Sequence, residues 1–378
     1  MRTAIITGAN GFIGSRLACQ LLSGGWCVHA LGRAKGDTPY KDRFKAALDD
    51  ISGQPVERNI LQALYCHEVD ICDSSLSLSK SISGHLRGTD AVLFHVAGDT
   101  RFTPSNPHAQ HHFNVFGSLN VVQSLRNFLA SVVHVSTAYV AGDRRGLVLE
   151  GDLDKGQHFR NCYEKSKLDA EIALTKTCRE IGLPLAIVRP SIITNDTETG
   201  RSSTFTHFNA LVEVISRVQK HYGIRDGEAV SEEIRIPVIP DSRPNLAPVD
   251  PIVTSILEIG TSSQCAGRTF HLCHPDPQPN SEVLSLVAEA FGVKDKIRLP
   301  FVSAVPEHLT WTEKMMLRSL KPYLPYMNEA CTFDLTNTRS IIPDYTLRFP
   351  PITQDYLRKV IEFQRHYERK DELVHTRG

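Results

Sequence analysis

The chain has 378 residues, 41% hydrophobic and 22% charged, which is globular usage and excludes collagen-like, coiled-coil and mainly disordered proteins. Lys plus Arg and Asp plus Glu each number 42, so no bulk charge favours nucleic acid or anionic lipid as a partner. The nine cysteines include no CxxC pair, which suits a reducing compartment. No signal-peptide pattern precedes the first strand and no apolar run approaches the roughly 18 residues of a membrane span, so we expect a cytoplasmic protein without a transmembrane segment.

Strand and helix patterns alternate through the first half of the chain. Near-continuous apolar strands between helices predict an α/β fold of the Rossmann type, a doubly wound parallel sheet covered on both faces. The predicted strands are residues 3–7, 27–31, 91–96, 132–136 and 185–188, and the predicted helices are 11–22, 107–129 and 163–181.

The alternation weakens after about residue 195, where Gly, Pro and Ser interrupt the chain. We therefore predict a dinucleotide-binding domain over 1–195 and a smaller, mostly helical substrate-binding lobe over 196–378, with the chain returning to the sheet near 235–260. Helical patterns in this part cover 205–221, 251–259 and 280–291.

The turn between the first strand and the first helix carries three glycines at intervals of three. Gly8 suits a sharp turn, Gly11 allows backbone amides to approach a pyrophosphate, and Gly14 allows the helix to lie close on the sheet. The spacing differs from GxGxxG, so a plain glycine turn is the alternative. The predicted cofactor contacts at this turn are Gly8, Asn10, Gly11, Phe12, Ile13 and Gly14.

The second strand ends in a basic sequence, with Arg33 and Lys35 and no carboxylate. In NAD-preferring sites a carboxylate near this point binds the ribose 2′-hydroxyl, whereas an arginine accommodates a 2′-phosphate. Arg33 with Lys35 therefore favours NADP(H) over NAD(H), the alternative being a solvated loop charge.

Tyr163 and Lys167 form a Tyr-x-x-x-Lys spacing that places both side chains on one helical face. A lysine ammonium stabilises a tyrosinate and would lower the phenol pKa from its ordinary value of about 10. A hydroxyl of Ser136 or Thr137 at the end of an upstream strand would bind a substrate carbonyl oxygen that the tyrosine protonates.

Taken together, these motifs resemble the extended short-chain dehydrogenase/reductases over roughly residues 1–255. The matching segments are 7–14, 70–71, 95–98, 114–117, 136–137, 163–167, 189–192 and 249–250. Within that superfamily the chain is most similar to fatty-acyl-CoA reductases and thioester-reductase domains of carrier-protein assembly lines. The supporting segments are 31–35, 99–102, 134–140 and 333–337.

The resemblance implies roles for particular residues. Tyr163 would donate a proton, Lys167 would bind the nicotinamide ribose and tune Tyr163, and Thr137 would orient the carbonyl, while Asn114 would support the active-site helix. The other implied cofactor contacts are Asp70 and Ile71 at the adenine, Val96, Ala97 and Gly98 along the cofactor path, and Pro190 and Ile192 at the carboxamide.

Two positions depart from the family pattern. Gly98 replaces a common alanine, and Ala141 stands where epimerases usually have tyrosine. The second departure argues against a sugar-nucleotide epimerase.

These features predict an NADPH-dependent reductase of a carbonyl, with an acyl thioester, bound to CoA or a carrier protein, as the first substrate class and aldehyde or alcohol as product. The alternatives are an NADP-dependent ketone or hydroxysteroid-like alcohol dehydrogenase and a nucleotide-sensing protein without turnover. A homodimer is left open, because family members often pair through helices beside the active site.

Two further features of the sequence have no assigned role. The histidines at 108, 111 and 112 lack a nearby Cys or carboxylate that would complete a metal site, so a solvated face is expected and no metal is predicted. The basic amphipathic segment 309–327 suits core packing, a lid or docking surface, or membrane contact.

Overall fold

The computed structural model describes residues 2–53, 61–73, 76, 80–202, 208–223, 233–328 and 330–375. The chain divides into two compact units. Unit 1 comprises Met1–Ser191, Asp250–Cys273 and Cys331–Thr346, and unit 2 comprises Ile192–Val249, His274–Ala330 and Leu347–Gly378.

The two units alternate along the chain more often than the sequence predicts. It returns to unit 1 at 250–273, later than the predicted 235–260, and a second time at 331–346, which the sequence does not predict. The strands that these returns add are only three or four residues long, too short for a periodic signal.

Unit 1 is built on a seven-stranded sheet. Its strands are β1 Thr3–Thr7, β2 Cys27–Gly32, β3 Leu64–Glu68, β4 Ala91–His95, β5 Leu129–Val135, β7 Leu185–Pro190 and β10 Thr269–Leu272. They are arranged in the order β10-β7-β5-β4-β1-β2-β3, and all neighbouring strands are parallel. This arrangement confirms the predicted doubly wound sheet.

In the sheet, β1 lies between β2 and β4, so the chain order of the strands reverses at β1. In sheets of this type, ligands bind outside the carboxyl ends of the strands at such a reversal. Thr7 is aligned with Leu31 of β2 and with His95 of β4, and Val135 is aligned with Val188 of β7. The residues that follow these strands therefore share one edge of the sheet.

Helices flank the sheet of unit 1, and a two-stranded ladder of β6 Gly146–Val148 with β11 Cys331–Phe333 lies apart from it. The helices are α1 Phe12–Ser23, α2 Tyr40–Ser52, α3 Lys80–Leu86, α4 Pro107–His111, α5 Gly117–Leu125, α6 Cys162–Glu180, α8 Val249–Thr261, whose first residue is assigned to unit 2, and α12 Thr336–Ile341. The predicted helix 107–129 is α4 and α5 joined by a π-helical turn, His112–Phe116, and followed by a 3₁₀ turn, Arg126–Phe128.

Unit 2 is mostly helical, with a short ladder of β8 Ile192–Thr194 and β9 Leu246–Pro248. Its helices are α7 Phe208–His221, α9 Asn280–Ala290, α10 Trp311–Leu320, α11 Leu324–Met327 and α13 Gln354–His375. The predicted start of α7 at 205 lies outside the described residues. Segment 309–327 packs largely into the core of this unit.

The apolar stripes of these helices explain the core of unit 2. In α7, Leu211, Val214, Ile215 and Val218 are buried and recur at i, i+3, i+4 and i+7. No helix within the described part of the chain is both long enough and apolar enough to cross a bilayer.

Candidate functional site

The glycine turn after β1 is closed by backbone contacts that exclude side chains. Gly8 has a φ of +67°, and a Cβ there would lie 2.8 Å from the amide nitrogen of Ala97. A Cβ on Gly14 would collide with the carbonyl oxygen of Gly8, so this glycine lets α1 lie against the turn. Because α1 begins at Phe12, the amides of its first turn and the positive end of its dipole lie at the carboxyl edge of the sheet.

The remaining residues predicted to line this edge are partly exposed. They are Asn10, Phe12, Ile13, Val96, Ala97 and Gly98. The turn and the end of β4 are brought together through Gly8 and Ala97, as the parallel pairing of β1 and β4 requires.

A basic patch follows β2. The guanidinium of Arg33 lies 3.7 Å from a carboxylate oxygen of Asp70 and 5.6 Å from the ring centre of Phe113. Both charged side chains are exposed, so this ion pair contributes little stability. Arg43 on α2 donates a 2.8 Å hydrogen bond to the carbonyl of Arg33, which adds a third cation near Arg33 and Lys35.

Arg43 was not predicted from the sequence, although it lies within the first turn of the helix that follows the basic sequence. Lys35 is exposed, and its backbone pairs with Thr38. Ile71, predicted beside the adenine, is buried against Gly117, where an added Cβ would lie 3.0 Å from it.

The predicted catalytic groups meet at the start of α6. The side chain of Asn161 caps this helix by accepting from the amide of Glu164 at 3.0 Å, and Tyr163 is the second helical residue. Thr137, just beyond β5, carries the hydroxyl that acts on the phenol of Tyr163 and opposes the rise of its pKa. The hydroxyl of Ser136 is buried without a partner among the described residues, so Thr137 is the hydroxyl that the fold brings to the tyrosine.

The pKa of Tyr163 moves opposite to the sequence-based expectation. Burial raises it to about 12, and the hydroxyl of Thr137 opposes that rise. The ammonium of Lys167 donates at 2.8 Å to the carbonyl of Val135 and lies 3.4 Å from Nε2 of His134. Since neither partner is the phenol, Lys167 does not lower the tyrosine pKa in this arrangement.

Lys167 is buried in a polar environment with little charge. Burial lowers its pKa to about 8, and the negative charge of Glu171 one turn further along α6 opposes that shift. Burial lowers the pKa of the neighbouring His134 well below its ordinary value, and the charge of Lys167 lowers it further. His134 is therefore neutral at physiological pH.

The π-helical turn before α5 positions a second supporting group. Asn114 lies in that turn and donates to Ser166 Oγ at 2.8 Å, while its Oδ1 accepts from the amide of Asp99 at 2.8 Å. Ser166 in turn donates to the carbonyl of Tyr163 at 2.9 Å. Because π-turns occur frequently at functional sites, this geometry agrees with the supporting role expected for Asn114.

Of the two residues predicted at the carboxamide, Pro190 is in unit 1 and its carbonyl lies 3.5 Å from Thr137 Oγ1. Ile192 is in unit 2, where its side chain lines an apolar cavity. Its assignment to the cofactor remains a prediction.

The cavity of unit 2 contains about 560 Å³ of empty space, counting space open to solvent. Its lining is apolar apart from the tyrosine hydroxyls and Asn280, and the Asn280 amide group donates to the carbonyls of Ile239 and Met327 at 2.8 and 2.7 Å. Unit 2 therefore offers a site suited to an uncharged apolar group.

The described residues contain no group of three or more His, Cys, Asp or Glu side chains arranged to hold a metal ion. Of the three clustered histidines, His111 contacts Asp169 at 3.1 Å and His112 packs on Phe116.

Comparisons with known proteins identify a family and several relatives of the chain. Residues 6–256 match the family described as male sterility protein, an NAD-binding family. A nonribosomal peptide synthetase, asaC of Aspergillus flavus, is 24% identical over 94% of this chain and 36% of its own length. Aldehyde reductase lnbA of the same species is 24% identical over 84% of this chain and 31% of its own length, so the chain spans about a third of these relatives.

Solved structures share the fold. The terminal R domain from the myxalamid PKS-NRPS biosynthetic pathway superposes with a TM-score of 0.77 at 19% identity, covering 97% of this chain and 91% of that one. A thiolation-reductase di-domain from an archaeal non-ribosomal peptide synthetase superposes with a TM-score of 0.74 at 15% identity, covering 97% and 76%. The family match covers well over half of the chain, and the glycine turn, Tyr163 and Lys167 lie within it. The chain therefore belongs to the male sterility protein family of extended short-chain dehydrogenase/reductases and is an NAD(P)-dependent oxidoreductase.

Proposed function

We propose that the protein is an NADPH-dependent reductase of acyl thioesters, with unit 1 binding the dinucleotide and unit 2 the acyl group. The observation that carries the proposal is that Thr137 lies just beyond β5 while Lys167, one turn beyond Tyr163 on the same helix, donates to the last residue of β5, which brings the three side chains to one edge of the sheet. Two hydroxyls and an ammonium at the carboxyl edge of a dinucleotide-binding sheet suit proton donation to a carbonyl oxygen.

In the proposed mechanism, the hydroxyls of Thr137 and Tyr163 bind the thioester carbonyl oxygen. The reduced nicotinamide, when bound, supplies a hydride to the carbonyl carbon. Tyr163 gives its proton to the oxygen as negative charge develops there, and its raised pKa keeps the phenol protonated before that step. Lys167 would bind the nicotinamide ribose and stabilise the tyrosinate that remains.

The product of this first reduction is a hemithioacetal. Its carbon–sulfur bond breaks as the hydroxyl becomes a carbonyl, which releases the aldehyde and a free thiol after the proton passes to sulfur. Tyr163 regains a proton from solvent, so each cycle consumes one hydride and one proton. A second cycle on the aldehyde would give the alcohol.

The preference for NADPH is supported by the basic patch after β2. Arg33, Lys35 and Arg43 are close together along the chain or in space, and guanidinium groups bind phosphate through paired donors. Gly8, Gly11 and Gly14 would place the pyrophosphate at the start of α1.

The thioester assignment is supported by the relatives and by unit 2. An aldehyde reductase and a peptide synthetase are among the similar proteins, and one similar structure joins a reductase to a thiolation domain. The apolar cavity of unit 2 suits the hydrocarbon part of an acyl group. A carrier-bound thioester is therefore the first substrate class to test.

The experiment measures NADPH oxidation by the full chain with acyl-CoA, acyl-carrier and ketone substrates, and identifies the products by mass spectrometry. We expect oxidation with thioesters and an aldehyde or alcohol product. Activity with ketones alone would replace this function with an alcohol dehydrogenase. Tight NADPH binding without turnover of any substrate would indicate a nucleotide sensor.

A further inference from the structure

His134 is a fully buried imidazole on β5, beside the ammonium of Lys167. Its Nε2 lies 3.4 Å from Lys167 Nζ, which also donates to the carbonyl of the next residue, Val135. Both side chains are almost inaccessible to solvent, at 0% and 3%. The lysine therefore has one main-chain and one side-chain acceptor from the same strand.

A second imidazole holds the ring of His134 in place. His95 on β4 stacks on His134 with ring centres 5.4 Å apart. The ring of His95 is itself held at both nitrogens, by Thr7 Oγ1 at 2.8 Å and by Ser118 Oγ at 2.7 Å. The position of His134 thus depends on three strands of the sheet and on α5.

The hydrogen bonding of His134 is one-sided. If Nε2 accepts from the Lys167 ammonium, the ring proton is on Nδ1, and Nδ1 is buried without a partner among the described residues. An unsatisfied buried donor costs about 1–3 kcal/mol.

We infer that His134 is a positioning residue that accepts a hydrogen bond from Lys167 and thereby keeps this lysine protonated and oriented. The inference rests on the proposed function, because the protonated lysine is needed for the nicotinamide ribose and the tyrosinate. His134 acts through Lys167 and has no assigned contact with substrate.

The charges around Lys167 define the expected pH behaviour. Its titratable neighbours are His134 and His95 from the sheet and Tyr163 and Glu171 from its own helix. Both imidazoles are neutral, and Glu171 is paired with Arg189. A loss of the His134 acceptor disfavours the charged lysine, so deprotonation of Lys167 moves to lower pH.

The experiment compares His134→Leu, which removes the acceptor, with His134→Gln, which retains an amide oxygen. His271→Leu is the matched control, because His271 is also a fully buried histidine of the same sheet with an unpaired ring nitrogen, Nε2, among the described residues. Lysines are labelled with carbon-13 at Cε, and the Lys167 signal is identified by its absence from Lys167→Met. Its titration, the pH profile of kcat and thermal unfolding are recorded for each variant.

We expect the Lys167 pKa to fall by about one unit in His134→Leu and to change little in His134→Gln. The basic limb of kcat should move with it, and kcat near neutral pH should fall about tenfold or more in the leucine variant but about threefold or less in the glutamine variant. Thermal stability of His134→Leu should be close to wild type, because loss of the acceptor and loss of the unpaired donor oppose each other. His271→Leu should leave the pH profile unchanged.

An unchanged Lys167 titration in His134→Leu would overturn the inference, even if activity fell. An equal shift in the control would do the same, because it would indicate a general effect of removing a buried imidazole. If wild-type protein reduces no carbonyl substrate, the proposed function fails, and the titration alone then decides whether His134 controls Lys167.

Discussion

The guanidinium of Arg189 makes a bidentate ion pair with the carboxylate of Glu171, Nε to Oε1 at 3.0 Å and Nη2 to Oε2 at 2.7 Å. Both side chains are at most 1% exposed. The guanidinium also donates to the carbonyls of Glu150 and Asp152 at 3.3 and 2.8 Å. The pair joins β7 to α6 one turn beyond Lys167, so it fixes the helix that carries the proposed catalytic groups.

Glu171→Ala should reduce the free energy of unfolding by about 3–5 kcal/mol, because it leaves the charge of Arg189 buried without its partner. Urea unfolding followed by circular dichroism measures the loss. Glu180→Ala, at the exposed end of the same helix, is the control and should change stability by about 0.5 kcal/mol or less. Equal losses in the two variants would contradict the structural importance of the buried pair.

Tyr163→Phe should reduce kcat by about a hundredfold to ten-thousandfold, because it removes the proton donor and keeps the ring. The dissociation constant for NADPH, measured by the fluorescence of the bound cofactor, should change little. Tyr65→Phe removes a phenol from β3 in the same unit and should leave kcat unchanged. Full activity in Tyr163→Phe would exclude the proposed acid.

Arg33→Ala should weaken NADPH binding by about tenfold to a hundredfold, the range for losing a charge-assisted hydrogen bond of about 1.5–3 kcal/mol. NADH binding should change by about twofold or less, because NADH lacks the 2′-phosphate. Titration calorimetry with both cofactors measures the difference. Arg87→Ala is a control at an exposed arginine that precedes the amino end of β4. Equal losses of affinity for NADPH and NADH in Arg33→Ala would argue against a 2′-phosphate site.

A buried pair of histidines should make the protein less stable in acid. Nδ1 of His29 lies 2.9 Å from Nε2 of His67, and burial lowers both pKa values from 6.5 to about 4, with nearby histidines contributing. Because the unfolded state binds more protons between about pH 4 and 6.5, the free energy of unfolding rises with pH across that window.

Replacing both histidines with phenylalanine should remove on the order of 5 kcal/mol of the stability change between about pH 4.5 and 7. Denaturant unfolding at several pH values measures this slope for wild type, for the double variant and for His108→Phe, a control at an exposed histidine. A double variant as acid-sensitive as wild type would show that the titration responsible lies elsewhere.

The cavity of unit 2 should make thioester reduction depend on acyl chain length. Each added methylene that enters it should raise kcat/KM roughly fourfold, as expected for transfer of a methylene out of water. Leu246→Trp, which fills the cavity from β9, should abolish this dependence for longer chains, whereas Met315→Trp alters the same core without lining the cavity. The measurement is a series of acetyl, butanoyl, hexanoyl and octanoyl thioesters, and an unchanged series in Leu246→Trp would contradict acyl binding there.

Local sequence was sufficient for much of unit 1. The glycine turn, the Tyr-x-x-x-Lys spacing and the parallel sheet follow from short-range constraints, namely a positive φ at Gly8, one helical turn between Tyr163 and Lys167, and apolar strands buried on both faces. The resemblance to a known family added the choice of Thr137 over Ser136, which remains a prediction.

Long-range contacts decided the rest. The direction of the Tyr163 pKa shift depends on where the Lys167 ammonium finds acceptors, and those acceptors lie on β5, about thirty residues earlier in the chain. The second return to unit 1 is held by Glu150, which accepts from the amide and hydroxyl of Thr338 at 3.1 and 2.7 Å. Propensity and periodicity act over a few residues, so the sequence determined the local elements and their chemistry, whereas burial and the pairing of distant polar groups were decided only by the tertiary structure.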